Sequence, residues 1–314
     1  MTTNVQAQSV TPQPGIFALG SRYQYLLEFD VSEERPASEV VAALAELRES
    51  NVTGGGVNMV VGFSSKLWAR LNSLTQPNGA RSFQRVEGLD GMIAPATQHD
   101  IWVWVHGAGT DVVFDTASIV ASTISRVATI AEDLHCFVYH DSRDLTGFID
   151  GTANPTPMEA PSIACVPSGQ PGAGGSHVIA QKWVHNLVPF NELDVAEQEK
   201  VIGRSKADSV AIPKPSRPAD AHITLAEIRD ENGEEREIFR RSVPWGTPDQ
   251  HGLYFIGFSA EQDRFDEMLA QMYGTDGRTI RDRLLDFTTA VSGSYYFAPS
   301  LEDLRRLGVA TAGS

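Results

Sequence analysis

The order of strands and helices that the sequence predicts in its first half constrains the fold most strongly. Residues 23–31 (YQYLLEFDV) and 57–64 (VNMVVGFS) have the pattern of strands, and an amphipathic helix over 38–50 lies between them. A second cycle then predicts a strand, a long helix and a strand over 101–107, 116–134 and 135–141. Two strand–helix–strand cycles in succession are typical of the βαββαβ ferredoxin-like sandwich, an α+β fold.

The second half repeats this mixture of elements. It predicts strands over 176–187, 237–245 and 251–259 and helices over 193–204 and 261–274, and it ends in RLLDFTTAVSGSYYFAPS. We therefore expect two ferredoxin-like halves that form one unit. The expected limits are a flexible N-terminal tail, an N-terminal domain, a glycine-rich loop and linker, and a C-terminal domain, at 1–15, 16–145, 146–175 and 176–314.

Charge and composition argue against several classes of function. The formal net charge is −15, and such a field repels phosphate backbones and anionic lipid surfaces, so neither nucleic acid nor membrane is an expected partner. The N-terminus MTTNVQAQSVTPQPGIF has no basic start and no apolar core, which indicates a cytoplasmic protein. Cys136 and Cys165 are the only cysteines, so a disulfide scaffold is excluded.

The eight histidines do not pair into a metal site. His135 and His140 differ by an odd number, so on one strand they would face opposite sides. His177 and His185 share a face but would stand about 26 Å apart at the usual strand rise. A histidine that binds a metal here is therefore expected to act singly, which suits haem better than zinc.

The segment DLTGFIDGTANP, residues 144–155, contains an aspartate between glycines. One interpretation is a tight turn in which Asp150 accepts a hydrogen bond from its own backbone. The other is a carboxylate held over a flat ligand by a loop whose glycines allow the backbone to approach closely. The residues alone leave both interpretations open.

The segment EREIFRRSVPWG, residues 235–246, brings two arginines together. On a strand, Arg240 and Ser242 would share a face with Ile238, while Arg241 would lie on the other face. We expect Arg240 to enter the interior, where an unpaired charge is costly, and Arg241 to lie in a solvated lattice with acidic neighbours. On the strand that follows, Leu253 and Phe255 share a face and are predicted to be core residues.

At GFIDGTANP the sequence resembles the dye-decolorising peroxidase family, whose hallmark is a GxxDG loop. Gly147, Asp150 and Gly151 match the hallmark, and Thr152, Asn154 and Pro155 match its common extension. The likeness continues in order through VIGRSKAD, AHITLAEIRDENG, FRRSVPWG, GLYFIGFSA and LLDFTTAVSGSYYFAPS, and it covers nearly the whole chain. Its compact length is similar to that of the bacterial branch called B-type.

The resemblance implies a haem peroxidase that contains haem b. It implies that His222 is the proximal iron ligand and that Asp150, Arg240 and Ser242 form the distal catalytic group. Asp286 is expected to hydrogen-bond the second nitrogen of His222, with Asp282 as the alternative, and Arg204 to pair with a haem propionate. The other residues expected to contact the haem are Leu253 and Phe255 and the loop residues Gly147, Phe148, Ile149, Gly151 and Thr152.

The resemblance also implies a reaction. Hydrogen peroxide would be reduced at the iron, and dyes, phenols or other small one-electron donors would be oxidised through a ferryl intermediate. Asp150 would move a proton between the peroxide oxygens, and Arg240 would lower the pKa of Asp150 and stabilise the leaving oxygen. Electrons from bulky donors would reach the haem through aromatic side chains, for which the candidates are Trp183, Trp245, Tyr254, Tyr295 and Tyr296.

Assembly and rival functions complete the expectations. A homo-oligomer is expected, because ferredoxin-like sheets often associate. Encapsulin is not an expected partner, because the C-terminal RRLGVATAGS is at best a weak likeness to the targeting tails of encapsulated relatives. The rival functions are a chlorite-dismutase-like or iron-releasing haem enzyme, a non-catalytic haem carrier, and an α+β module with no cofactor.

Overall fold

The computed structural model describes residues 10–47 and 56–308, and its main sheet is antiparallel and ten-stranded. The first half of the chain runs through β1 (Tyr23–Asp30), α1 (Ala37–Ala45), β2 (Val57–Phe63), α2 (Ser65–Leu71), β3 (Val86–Glu87), β4 (Ile93–Ala94), β5 (Ile101–Gly107), α3 (Thr110–Ile124) and β6 (Thr129–Phe137). Its four long strands are arranged in the order β2-β5-β1-β6. This is the ferredoxin-like order that the two strand–helix–strand cycles predicted.

The second half repeats this arrangement. It runs through α4 (Ala160–Ala164), β7 (Ser176–His185), α5 (Leu187–Glu192), α6 (Val195–Ile202), α7 (His222–Leu225), β8 (Phe239–Arg240), β9 (Val243–Gly246), β10 (His251–Ser259), α8 (Asp263–Tyr273), β11 (Thr288–Ala290), β12 (Ser294–Ala298) and α9 (Leu301–Arg306). β12, β7, β10 and β9 are neighbours in that order, with β8 beside β10 and β11 beside β7. The predicted α+β fold with two ferredoxin-like halves is confirmed.

The four long strands of the first half, β2-β5-β1-β6, meet the strands β12-β7-β10-β9 of the second half at both edges. Phe297 of β12 pairs with Phe63 of β2, and Cys136 of β6 pairs with Trp245 of β9. Because β7 also pairs with β10 along eight residues, the strands close into a barrel. A hydrophobic cluster from both halves fills its interior, and this cluster includes Trp102, Tyr254 and Tyr296.

The structure corrects the predicted helix over 116–134. The helix α3 ends at Ile124, and residues 129–137 form the strand β6 instead. Residues 129–134 (TIAEDL) resemble a helix in composition, but β6 pairs with β1 from Thr129 to Phe137. Tertiary pairing overrides local propensity here. The predicted helix over 38–50 ends at Ala45, and residues 48–50 lie outside the described part of the chain.

The predicted strand over 237–245 is broken into two. β8 ends at Arg240 and β9 begins at Val243, although the Arg241 amide still donates to the Ile256 carbonyl of β10 at 2.8 Å. Arg241 is not solvated as expected. Its guanidinium donates to the carbonyls of Ile16 and Ala18 and lies over the Trp104 ring, 5.2 Å from its centroid.

The last residues of the expected N-terminal tail are part of the folded structure. Gln13 is buried, and its side-chain amide bonds to both the Val61 amide and the Val61 and Pro299 carbonyls. Residues 1–9 and 309–314 lie outside the described part of the chain. Most of the C-terminal segment RRLGVATAGS is therefore not described. Within 10–47 and 56–308, every helix is too short or too polar to cross a membrane.

Candidate active site

Two adjoining cavities of about 280 and about 150 Å³ lie beside the strands of the second half of the chain. Gln181 and Trp183 of β7 and Leu253 and Phe255 of β10 line the smaller cavity. Since side chains alternate along a strand, this is the sheet face opposite the barrel interior. The two cavities share a wall, formed by Ile149, Asp150, Ile202, His222, Ala226, Arg240 and Met268.

The loop after β6 carries Asp150 into this wall. The Asp150 amide donates to the Ser142 carbonyl at 3.0 Å, and its Oδ1 accepts from the Gly151 amide at 2.7 Å. Gly151 has a φ of 77°, a conformation that favours glycine. The tight-turn interpretation is confirmed, and Asp150 also lines the cavities, while its place over a flat ligand stays a prediction.

Asn154 fixes this loop to the strand that carries Arg240. Its side-chain oxygen accepts from the Arg240 amide at 2.9 Å, and its side-chain nitrogen donates to the Arg240 carbonyl at 2.8 Å. This pair of hydrogen bonds sets the position of Asp150 relative to Arg240, so the carboxylate and the guanidinium line both cavities together. Asn154 matched the family pattern, but its positioning role was not predicted.

The charge balance at Asp150 differs from the expectation. Burial raises the pKa of Asp150, and Asp144 raises it further, whereas Arg240, the Gly151 amide and His222 lower it. The net result is a raised pKa. Arg240 opposes the rise as predicted, but it does not hold the pKa of Asp150 below its usual range, because desolvation is the larger effect.

His222 begins the short helix α7, and its Nδ1 lies 2.7 Å from the Oδ2 of Asp282. Asp282 is completely buried, and its Oδ1 also accepts from the Leu284 amide at 2.8 Å. The predicted partner, Asp286, is wrong. It lies on the surface and pairs with Arg281 at 2.6 Å, so the alternative Asp282 is the residue beside His222. The Nε2 atom of His222 has no hydrogen-bond partner among the described residues.

Charged side chains of both signs line the larger cavity. Arg204, Arg217 and Arg236 line it together with Glu227, Glu235 and Glu237. Arg236 is neutralised by Glu261 and Glu267, whereas Arg204 and Arg217 form no salt bridge within 10–47 and 56–308. Arg204 donates to the Ser209 carbonyl and Arg217 to the Ile212 carbonyl, so both guanidinium groups are fixed in place. Arg204 was predicted from the resemblance, but Arg217, five residues before His222, was missed.

The lining of the smaller cavity is largely apolar. Met268, Leu269, Met272, Leu284 and Leu285 line it together with Leu253 and Phe255, and Ser242 also lines it. Of the predicted loop residues, Phe148 lines the smaller cavity, Ile149 lines both, and Gly151 and Thr152 line the larger one. Gly147, which was predicted to contact the haem, lies outside the walls of both cavities. Its φ is 88° and a Cβ there would meet the Lys206 side chain at 2.7 Å, so the turn itself requires the glycine.

A buried hydrogen bond between a histidine and a carboxylate supports the loop. The Nε2 of His185 lies 2.9 Å from the Oδ1 of Asp144, and its Nδ1 lies 2.8 Å from the Thr288 hydroxyl. Burial opposes ionisation of Asp144, but His185 and Thr146 together lower the pKa of its carboxyl to about 2. Sequence reasoning weighed His185 only as a metal ligand. Nothing in the sequence placed it against Asp144.

A third cavity of about 340 Å³ also reaches the Asp150 loop and Arg240. Asp150, Arg240 and Ser242 line it together with residues near the N-terminus and the Asp150 loop, which include Phe17, Ser21, Gln24, Tyr139 and Pro155. Asp150 and Arg240 therefore lie where all three cavities meet. The described residues hold no group of three or more His, Cys, Asp or Glu side chains that could bind a metal ion.

Family models and known relatives match the chain over nearly its full length. A model described as Dyp-type peroxidase, N-terminal, matches residues 13–138, and one described as Dyp-type peroxidase, C-terminal, matches residues 141–303. The Dye-decolorizing peroxidase of Rhodococcus erythropolis is 35% identical over 300 residues, which are 93% of this chain and 88% of that protein.

Solved structures show the same similarity. A structure described as a Dyp-type peroxidase protein from Shewanella oneidensis superposes with a TM-score of 0.89 at 31% identity, covering 95% of this chain and 99% of that one. A DypB variant of Rhodococcus jostii, described as being in complex with heme, gives a TM-score of 0.88 at 30% identity, with the same coverage.

Proposed function

The chain belongs to the Dyp-type peroxidase family and is a peroxidase, and from this premise we propose that it binds haem b and uses hydrogen peroxide to oxidise dyes, phenols or other one-electron donors. One observation supports the proposal above the others. A histidine with one free ring nitrogen shares its cavities with a carboxylate and a guanidinium, and neither that nitrogen nor the Arg240 guanidinium has a hydrogen-bond partner among the described residues.

The walls of the two cavities fit an iron porphyrin. The free Nε2 of His222 is a single imidazole donor, as haem ligation requires. Arg204 and Arg217 of the larger cavity suit the two propionates, and the apolar residues of the smaller cavity suit the vinyl and methyl edges. These two half-buried guanidinium groups are the most specific part of this fit, since neither has a carboxylate partner among the described residues.

Bound haem would supply an iron that accepts the oxidising equivalents of peroxide. The other chemistry belongs to the chain. Asp150, when ionised, accepts a proton from one peroxide oxygen and returns it to the other, and Arg240 stabilises the negative charge on the oxygen that leaves. Leu253 and Phe255 narrow the site on the sheet side, so peroxide enters but bulky donors react from farther away.

One titration and one spectrum test this proposal. We expect the purified protein to bind one equivalent of haem, with the Soret band of a histidine-ligated ferric haem. Added hydrogen peroxide should change the spectrum within the mixing time of a stopped-flow instrument, and a reducing dye should restore it. A protein that binds haem without responding to peroxide would support the carrier function instead, and faster turnover of chlorite would support the chlorite-dismutase-like enzyme.

We predict that Asp282→Asn raises the reduction potential of the bound haem and lowers haem affinity. The neutral amide keeps the Leu284 hydrogen bond at Oδ1 but removes the carboxylate that makes His222 a more basic ligand. Loss of such a partner costs about 10- to 100-fold in metal affinity. Spectroelectrochemistry and haem transfer to apomyoglobin measure the two effects. Asp286→Asn is the matched control and should change neither, so equal effects in the two variants would contradict the assignment of Asp282.

We predict that the reaction with peroxide slows as the pH falls, with a midpoint above the ordinary aspartate pKa of about 4. Asp150 accepts a proton only while it is ionised, and burial raises its pKa, so protonation removes its function at a higher pH than for an exposed aspartate. The measurement is the second-order rate constant from pH 3 to pH 8. Asp150→Asn should abolish this acid limb, and a limb that persists unchanged in the variant would assign it to another group.

A further inference from the structure

The barrel interior contains a carboxylate that the proposed chemistry does not use. Glu28 of β1 is 2% exposed, and both of its oxygens accept hydrogen bonds from tyrosine hydroxyls. The Tyr254 hydroxyl donates to Oε1 at 2.7 Å, and the Tyr296 hydroxyl donates to Oε2. Three residues from three strands and from both halves of the chain thus form one buried cluster, the Glu28–tyrosine cluster.

This cluster is one strand away from the candidate active site. Tyr254 lies between Leu253 and Phe255 on β10, and those two neighbours line the smaller cavity. Because successive side chains on a strand point to opposite faces, Tyr254 enters the barrel directly behind the cavity wall. Backbone of a single strand therefore separates its ring from the space that we propose for the haem.

Aromatic rings continue from the cluster through the barrel. The Tyr296 ring is stacked on Trp102, with centroids 6.1 Å apart and planes inclined by 19°. The ring centroids of Trp102 and Trp104 are 6.3 Å apart, and the Nε1 of Trp104 donates to the Oε1 of Gln24 at 2.7 Å. Gln24 lines the third cavity. Aromatic side chains, with Gln24 at their end, thus connect the strand behind the active site to the third cavity.

We propose that Tyr254 and Tyr296 are a redox-active pair for which Glu28 is the proton acceptor, an inference that rests on the proposed function. In each oxidation one electron passes from the phenol to the active site, which peroxide has oxidised. At the same time the phenol O–H bond breaks and its proton passes to the Glu28 carboxylate, which leaves a neutral tyrosyl radical and a neutral carboxylic acid. The radical is then reduced by one electron from the external donor, and Glu28 returns its proton to the phenol oxygen, which restores the carboxylate.

The chemistry of the cluster favours a proton-coupled oxidation over a purely structural contact. Burial and Glu28 raise the pKa of both tyrosines well above the usual value, so neither phenol ionises before it is oxidised. Burial also raises the pKa of Glu28, although the two phenols lower it, and a carboxylate with a raised pKa is a stronger proton acceptor. Because the proton passes to Glu28 as the electron leaves, no positive charge is left on the phenol in the barrel interior.

Tyr295 provides a matched comparison. It is the neighbour of Tyr296 on β12, it is equally buried, and its hydroxyl also donates to a carboxylate, Asp266, at 3.0 Å. However, Asp266 is paired with Arg81 and is part of the surface. Its carboxylate is therefore already neutralised by a cation, and Tyr295 faces away from the barrel. Loss of the Tyr295 hydroxyl should not affect the radical.

Freeze-quench electron paramagnetic resonance of the holoprotein tests the pair. The protein is reconstituted with haem, mixed with hydrogen peroxide and frozen at increasing times, with natural and with ring-deuterated tyrosine. We expect a tyrosyl signal that narrows with deuteration, remains in Tyr295→Phe and is lost in the Tyr254→Phe/Tyr296→Phe double variant. In Glu28→Gln the signal should appear on the order of 10²-fold more slowly, since a positioned proton acceptor contributes at least that much.

The outcomes separate this inference from the proposed function. Absorbance measures the reaction with peroxide independently in each sample, and a wild-type protein that does not react refutes the proposed function. A protein that reacts but gives no tyrosyl signal, or a signal lost in Tyr295→Phe and kept in the double variant, overturns the redox pair. Thermal melts of all variants identify any that do not fold, and the single variants Tyr254→Phe and Tyr296→Phe then replace the double variant.

Discussion

Replacing Arg240 with leucine is expected to slow the reaction with hydrogen peroxide by about 10²- to 10³-fold, the usual cost of removing one preorganised group that stabilises a developing oxyanion. The loss should exceed that of Asp150→Ala. Arg240 lies where three cavities meet, so its charge is close to any peroxide that reaches Asp150.

The ranking follows from the two functions of the guanidinium. Arg240 stabilises the departing oxygen directly, and it also lowers the pKa of Asp150 against the effect of burial. Arg240→Leu therefore removes the stabilising charge and at the same time protonates a larger fraction of Asp150. Asp150→Ala removes the proton acceptor alone, and water in the third cavity can carry a proton in its place, because that cavity adjoins both residues.

Stopped-flow rate constants at neutral pH measure both losses, and two further variants support the assignment. Arg240→Lys keeps the charge without the planar fork, so it should recover part of the rate. Arg204→Leu removes a cation of the larger cavity that we propose to pair with a propionate, and it should weaken haem binding more than it slows the peroxide reaction. The ranking is wrong if Asp150→Ala loses as much rate as Arg240→Leu.

The sequence predicted most of the fold because its strands carry the period and the length that the pairing requires. Residues 101–107 and 251–259 form strands over the predicted ranges. The helix over 116–134 was wrong at its end, because the segment TIAEDL has helical composition and becomes a strand only by pairing with β1. The closure of the two sheets into a barrel could not be predicted, since it depends on single residue pairs between distant strands.

The candidate site shows the same limit at the level of side chains. The period of the strand placed Arg240 and Ser242 on one face correctly, and both line the cavities. It could not show that Arg241 is held by the carbonyls of Ile16 and Ala18, because those atoms come from the other end of the chain. Two aspartates four residues apart were both plausible partners for His222, and the turn that buries Asp282 and exposes Asp286 decides between them.

Replacing His222 with alanine is expected to abolish stable haem binding. His222 offers the free imidazole nitrogen in the cavities, and the loss should exceed the roughly 10- to 100-fold cost of removing a ligand's hydrogen-bond partner. The measurement is haem retained after gel filtration, read from the ratio of Soret to protein absorbance. Added imidazole should restore a histidine-like spectrum in the alanine variant, because the small ligand occupies the space that the side chain leaves.

His185→Gln is the control that makes this result specific. His185 also lines the smaller cavity, but Asp144 and Thr288 occupy both of its ring nitrogens, so it cannot ligate iron without breaking a buried hydrogen bond. We expect the glutamine variant to lose thermal stability and to keep its haem. If it lost haem while His222→Ala kept it, the ligand would be His185 and the Asp144 pair would be the group that orients it. The free ring nitrogen of His222 favours His222 as the ligand, because a ligand must have a lone pair that no neighbour uses.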